Sequence, residues 1–132
     1  MPGPLDYAFD HIHIYCSDPP ATERWFVEKV GAELVEHRDS LGVPVTVLRL
    51  GGARVLLRGR RENEKLAPAG ARHFGTDHFA LVVSDVDAAI AELRRRGVTV
   101  EVEPWNIRPA MRIAFVKGPD EVRIELLQPQ KV

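Results

Sequence analysis

Apolar and polar residues alternate along several short stretches of this chain, and two of these stretches are copies of each other. Residues 9–18 (FDHIHIYCSD) and 76–85 (TDHFALVVSD) share Asp-His, then alternating or apolar residues, then Ser-Asp, at an offset of 67. Alternation with a period of two predicts a β-strand with one apolar face. A pattern that recurs at a fixed spacing predicts a duplicated structural unit. The chain is therefore expected to consist of two related halves.

Each copy continues with the same series of elements. The Ser-Asp pairs are typical helix starts, the stretches that follow are amphipathic, and Gly31 and Gly97 are expected to end the two helices. Alternating stretches then predict three strands in each half: residues 33–37, 45–50 and 54–58 in the first, and 98–103, 112–117 and 122–127 in the second. This order predicts an α+β fold of two tandem βαβββ modules.

Length and composition favour one domain. The chain has 132 residues, 45% of them hydrophobic, which is typical of a single globular domain. We expect one domain over 1–132, with modules at about 8–58 and 75–128 and a linker at 59–74 that is rich in charge, Pro and Gly. In each module the helix should cover one face of the sheet, which leaves the other face to line a cavity.

Charge and apolar content exclude several classes of partner. The 18 basic and 19 acidic residues are interspersed, so a nucleic acid is not expected as a partner. No apolar run approaches the roughly 18 residues of a membrane span. The chain has one cysteine, Cys16, and it begins with Met-Pro-Gly-Pro rather than a secretory signal. These features predict a cytoplasmic location.

Strand alternation nominates three side chains for metal binding. His11 and His78 are equivalent positions of the repeat, and each lies on the face opposite the apolar one. Glu125 lies in the middle of the last strand, where an unpaired buried carboxylate would cost several kcal/mol. Two neutral imidazoles and one carboxylate suit a divalent Fe, Mn, Zn, Ni or Co ion. Taken singly, each has a simpler explanation: a hydrogen-bonded strand histidine, or a Glu125 paired with Arg112 or Arg54.

The same segments resemble the vicinal oxygen chelate superfamily of glyoxalases, bleomycin-resistance proteins and extradiol dioxygenases. The resemblance covers about residues 8–128 and is carried by Asp10–Asp18, Asp77–Gly97 and Gly118–Leu127. It implies a glyoxalase-like fold, with a curved mixed sheet around a cavity. It also implies that His11, His78 and Glu125 bind one divalent metal ion, which holds two neighbouring oxygens of a small substrate.

One departure from the family pattern concerns proton transfer. Glyoxalase I and the epimerase-like members place a fourth ligand, Glu or Gln, in the last strand of the first module. Alignment of the two last strands puts Leu56 at that position. If the protein isomerises its substrate, the base must come from elsewhere, and His13 is the nearest candidate because it shares a face with His11.

Three further residues are candidates for substrate binding. Arg54 and Arg58 share a strand face with Leu56 and are suited to an anionic group of the substrate, although solvent-exposed strand arginines are the simpler interpretation. Trp105 lies in a predicted loop, Trp105–Pro109, where it would stack on a ring or cap the core. Cys16 is expected to face the helix, which argues against a catalytic thiol.

The resemblance leaves three functions open. The leading prediction is a divalent-metal enzyme, a glyoxalase-like lyase, isomerase or transferase that acts on a small molecule with adjacent oxygens. The alternatives are an extradiol-type dioxygenase and a metal-free protein that binds a drug or metabolite. Two half-barrels must pair within the chain or by exchange across a homodimer. We expect the homodimer, in which His11 would meet the partner subunit's His78 and the partner subunit's Glu125.

Overall fold

The computed structural model describes residues 4–70 and 73–129, and it contains both predicted modules. The first module consists of β1 (His11–Tyr15), α1 (Pro19–Val30), β2 (Glu33–Ser40), β3 (Val43–Leu50) and β4 (Ala53–Arg58). The second consists of β5 (Phe79–Val82), α2 (Val86–Arg95), β6 (Thr99–Arg108), β7 (Met111–Lys117) and β8 (Arg123–Pro129), with a 3-10 turn at Pro119–Glu121 before β8.

The two modules have the same sheet topology. The strand orders are β1-β4-β3-β2 and β5-β8-β7-β6. In each sheet the first strand pairs in parallel with the last strand of its module, and the remaining pairs are antiparallel. The predicted α+β fold with two tandem βαβββ modules is therefore confirmed.

The helices begin where the repeated Ser-Asp pairs predicted. Asp18 accepts a hydrogen bond from the Ala21 amide, and Asp85 accepts one from the Ala88 amide. Each aspartate thus caps the N-terminus of its own helix. Gly31 ends α1 with a φ of 76°, a left-handed conformation that other residues rarely adopt. The start of each helix and the end of α1 are therefore determined by residues that are close in the sequence.

A single apolar core joins the two modules through the faces that carry the helices. Its buried members are Cys16, Phe26, Ala32, Leu48, Leu50, Val55, Leu57, Val86, Ile90, Val98, Ala114, Val116, Ile124 and Leu126. Because side chains alternate along a strand, the neighbouring positions lie on the opposite face of each sheet. This opposite face carries every candidate metal ligand, as the alternation predicted.

The prediction of a loop at Trp105–Pro109 is wrong for most of that segment. Trp105 and Arg108 belong to β6 and pair with Ile113 and Met111 of β7. β6 is the edge strand of its sheet and contains register shifts. Pro104 has no amide N–H to donate, but an edge strand is paired on one side only, so β6 can continue through this proline. The other strands with predicted bounds are also longer than predicted, by one to three residues.

The segment between the modules forms no regular element. Residues 59–70 and 73–78 contain neither helix nor strand, and residues 71 and 72 of the predicted linker lie outside the described residues. Within the described ranges, neither α1 nor α2 has the length and hydropathy of a membrane-spanning helix.

Candidate metal and substrate site

The first sheet carries polar side chains in regular rows on the face away from the core. Pairing of β1 with β4 sets His11 opposite Arg54, His13 opposite Leu56 and Tyr15 opposite Arg58. Directly paired residues of a sheet project to the same side, so these three pairs form successive rows. The expectation that His13, Arg54 and Arg58 share the face of His11 is met by this register.

The second sheet repeats this arrangement with different residues. Ala80 of β5 pairs with Glu125 of β8, which in turn lies opposite Phe115 of β7. Since Ala80 is the repeat equivalent of His13, Glu125 is the structural equivalent of Leu56. Leu56 is only 4% exposed and packs with Val45 and Val47. The first module therefore has an apolar residue where the second has a carboxylate.

Both candidate histidines are oriented in the same way by the preceding aspartate. His11 Nδ1 lies 2.6 Å from an Asp10 carboxylate oxygen, and His78 Nδ1 lies 2.7 Å from an Asp77 carboxylate oxygen. A carboxylate at Nδ1 favours the tautomer with the proton on that nitrogen, and leaves the Nε2 lone pair available to a metal. The His11 imidazole in turn lowers the pKa of Asp10 by hydrogen bonding.

His78 and Glu125 meet on the second sheet. His78 Nε2 lies 3.2 Å from Glu125 Oε1, and the Glu125 side chain is 16% exposed. Phe115 packs edge-on against the His78 ring at a centroid distance of 4.9 Å. Arg112, one of the two alternative partners considered for Glu125, instead donates two hydrogen bonds to Asp87. The donor chemistry at this position therefore fits a metal ion: an imidazole nitrogen and a poorly solvated carboxylate adjoin each other.

His11 does not join this pair within one chain. Among residues 4–70 and 73–129, no three His, Cys, Asp or Glu side chains are grouped so that they could hold a metal ion. His11 and the His78–Glu125 pair lie on different sheets, and these sheets pack through their other faces. A single chain therefore contains two parts of the predicted ligand set, apart from each other.

An open cleft of about 1450 Å³ runs along the unpaired edge of β1. Its wall includes His13 and Tyr15 on one side, His78 and Arg123 on the other, and linker residues 66–70. The cleft is therefore bounded by polar groups from both modules, and it lies where β1 has no neighbouring strand.

The two candidate arginines differ in what they already bind. Arg58 is buried and donates hydrogen bonds to both carboxylate oxygens of Glu64, at 2.8 and 3.0 Å, while its guanidinium lies over the Tyr15 ring. These hydrogen bonds hold the pKa of Glu64 at about 2. Arg54 is exposed and forms no ion pair with any described residue. Of these two arginines, Arg54 is therefore the one whose guanidinium forms no ion pair with a described carboxylate.

His13 lies beside His11, with ring centroids 6.1 Å apart. Partial burial lowers the pKa of the His13 imidazole, and the positive charge of Arg58 lowers it further. The neutral form of His13 is therefore favoured at neutral pH, which is the form that accepts a proton or binds a metal.

Trp105 is accessible to solvent, whereas Cys16 is buried. Trp105 is 48% exposed and pairs with Ile113, which lies opposite Leu127, two residues beyond Glu125. Its indole is thus accessible to a ligand on the same face as Glu125. Cys16 is 4% exposed and belongs to the shared core, which agrees with its predicted orientation toward the helix. Burial raises the pKa of its thiol.

Four side chains at the site were not assigned from the sequence: Asp10, Asp77, Phe115 and Arg123. The aspartates are part of the repeated Asp-His motif, so their duplication was a usable signal for a role in orienting the histidines. Phe115 follows from alternation along β7, because it shares a face with Lys117 and Ile113. Arg123, which stacks on Phe115 and contacts Asp77, depends on a contact over 46 residues that no local pattern indicates.

Comparison with known proteins gives consistent results at three levels. The family model of the Glyoxalase/Bleomycin resistance protein/Dioxygenase superfamily matches residues 8–126. The uncharacterized protein YwkD of Bacillus subtilis (strain 168) is 28% identical over 122 residues, which are 89% of this chain and 94% of YwkD.

Solved structures extend the comparison to the fold. TnmS3, an antibiotic binding protein from Streptomyces sp. CB03234, is 27% identical with a TM-score of 0.74, and the match covers 96% of this chain and 98% of TnmS3. Glyoxalase I from Zea mays is 23% identical with a TM-score of 0.76, and the match covers 94% of this chain but 45% of the maize chain.

Proposed function

Because the chain belongs to the Glyoxalase/Bleomycin resistance protein/Dioxygenase superfamily, we propose that it is a divalent-metal-dependent enzyme of the vicinal oxygen chelate type. Its substrate is a small molecule with two adjacent oxygen atoms, and its reaction is a lyase, isomerase or transferase reaction. His11, His78 and Glu125 hold the metal ion.

The observation that carries this proposal is the duplicated orientation of the two histidines. Each imidazole has its Nδ1 fixed by the preceding aspartate, and His78 adjoins a carboxylate that has little access to water. The fold alone does not require this arrangement, since Leu56 shows that the position equivalent to Glu125 also accepts an apolar residue. The repeated Asp–His pair supports a metal-binding role because it prepares the same ring nitrogen for coordination at both positions.

The site is shared between two copies of the chain. His11 and the His78–Glu125 pair do not converge within one chain, yet each lies on a face that is not used by the shared core. In a symmetric homodimer, His11 of one chain would approach the partner subunit's His78 and the partner subunit's Glu125, and the symmetry would form two equivalent sites. The open edge of β1 and the cleft beside it are consistent with such an exchange.

The bound metal would act as a Lewis acid that stabilises negative charge on the substrate oxygens. Arg54 lies directly opposite His11 and attracts an anionic group of the substrate. Arg58 meets such a group only after Glu64 has been displaced. Trp105 offers an aromatic surface on the Glu125 side of the site.

Metal content of protein purified without chelator tests the proposal. We expect about one divalent ion per chain, since each symmetric dimer has two sites. The ion should be lost in His11→Ala and retained in His37→Ala, because His37 lies on β2 with its Nε2 against Glu23. A wild-type protein that binds no divalent metal would contradict the proposal. Oxygen uptake with catechols after anaerobic Fe(II) loading would instead identify an extradiol-type dioxygenase.

A second candidate is a protein that binds a drug or metabolite without chemistry. The similarity to TnmS3, an antibiotic binding protein, over nearly the whole chain favours it. The exposed Trp105 and its apolar neighbours would then provide the binding surface. This function predicts ligand binding that is unchanged by a chelator, and by His78→Ala, but is weakened by Trp105→Ala.

A further inference from the structure

One pair of facing positions, on the first and last strands of each module, carries one side chain that can bind a metal. In the first module this side chain is on the first strand, and in the second module it is on the last strand. In the first module β1 contributes His13 and β4 contributes Leu56, whereas in the second β5 contributes Ala80 and β8 contributes Glu125. His13 and Ala80 are equivalent positions of the repeat, and so are Leu56 and Glu125. The duplicated modules therefore differ in which strand supplies the donor at these positions. From this arrangement we propose that His13 is a fourth ligand of the metal that His11, His78 and Glu125 hold.

The position of His13 next to His11 allows both rings to reach one ion. They project from alternate residues of β1 on the same face, with ring centroids 6.1 Å apart and an angle of 68° between the ring planes. With metal–nitrogen distances of about 2.0–2.1 Å, two imidazoles at neighbouring coordination positions have ring centres roughly 5 Å apart. A side-chain rotation that moves one ring by about 1 Å brings the ring centres to this separation.

His13 is not committed to another partner. None of the described residues forms a hydrogen bond with its ring, in contrast to His11, His37 and His78, each of which faces a carboxylate. It also lines the cleft beside the edge of β1, so its ring is accessible from solvent. The ring is thus in a position to coordinate without breaking an existing contact.

Four protein ligands also match the chemistry of the proposed substrate. This inference rests on the proposed function, and it defines the geometry of the same site. An octahedral ion with three imidazoles and one carboxylate keeps two positions open, which is the number that two adjacent substrate oxygens occupy. One carboxylate rather than two leaves the ion with more positive charge, which makes it the stronger Lewis acid.

A ligand role for His13 replaces the role of base assigned to it from the sequence. A coordinated imidazole nitrogen has no lone pair for a proton, so the two roles predict different results. If His13 is a ligand, its loss weakens metal binding and changes the ligand field. If His13 is only a base, its loss lowers activity and leaves the metal untouched.

Cobalt binding to full-length protein separates these outcomes without a known substrate. Metal-free wild type, His13→Ala, His13→Gln and His37→Ala would be titrated with Co(II) against a competing chelator, and visible absorption would be recorded at saturation. We expect His13→Ala to bind Co(II) at least about 10-fold more weakly and with altered absorption, because loss of a residue that only hydrogen-bonds to a metal ligand already weakens metal binding 10–100-fold. We expect His13→Gln to have an absorption spectrum distinct from wild type, and His37→Ala to match wild type.

His13 is exposed, so its truncation leaves no core cavity, and circular dichroism would verify that each variant is folded. Unchanged affinity and absorption in His13→Ala, with Co(II) binding lost in His11→Ala, would overturn the fourth ligand and leave the three-ligand site standing. Absence of Co(II) binding in wild type would overturn the proposed function, and the fourth ligand with it.

Discussion

Replacing Glu125 with glutamine is expected to weaken divalent-metal binding by at least about 100-fold. The carboxylate is the only anionic ligand of the proposed site. Loss of a direct ligand weakens metal binding more than the 10–100-fold that is typical when a residue hydrogen-bonded to a ligand is lost. The side chain keeps its size, so packing against Phe115 and His78 is preserved. Competition with a chromogenic chelator would measure the affinity.

Glu101→Gln is a matched control for this substitution. Glu101 also belongs to the second sheet and is partly buried, where it accepts a hydrogen bond from Arg123 at 2.8 Å. Its loss removes a carboxylate close to the site that is not a proposed ligand, so the metal affinity should stay within a few-fold of wild type. Equal metal affinity in Glu125→Gln and Glu101→Gln would show that Glu125 is not a ligand.

Truncation of Phe26 to alanine is expected to lower the free energy of unfolding by about 3–5 kcal/mol. Phe26 lies on α1, has no exposed surface, and packs in the core that joins the two modules. Its ring contacts Trp25 edge-on at 5.1 Å, so its removal leaves a cavity that α1 cannot close without shifting against both sheets. Urea unfolding at a fixed protein concentration would measure the change, since association into the proposed homodimer would also contribute to stability.

The adjacent residue of α1 provides the control. Val27 is 38% exposed and points away from the core, so Val27→Ala should change the free energy of unfolding by no more than about 0.5 kcal/mol. A loss of less than 1 kcal/mol in Phe26→Ala would mean that the two modules are not held together by this core.

The sheet faces and helix limits could be predicted because they depend on neighbouring residues. Ile12 and Ile14 alternate with His11 and His13, and this alternation determines which side chains face the core. The Asp18 and Asp85 caps are equally local, because each side chain binds an amide three residues ahead. The repeated Asp-His motif also showed that His11 and His78 are equivalent positions, which neither strand reveals on its own.

The features that could not be predicted depend on distant parts of the chain. Trp105 lies in a strand because β7 supplies its partner, and the Pro residues on either side of that stretch resemble a loop when read alone. The Arg58–Glu64 pair depends on how the linker folds back over β4. The separation of His11 from Glu125 follows from which sheet faces pack together, a choice that alternation leaves open.

A mixed dimer tests most directly whether the metal site is formed by two copies of the chain. Chains with His11→Ala and Glu125→Gln would carry different affinity tags, be produced together, and be purified as heterodimers. Neither homodimer has an intact site, whereas the heterodimer has one, so it should contain about half a metal ion per chain. A heterodimer without metal, alongside a wild-type dimer with one ion per chain, would contradict a site shared between copies.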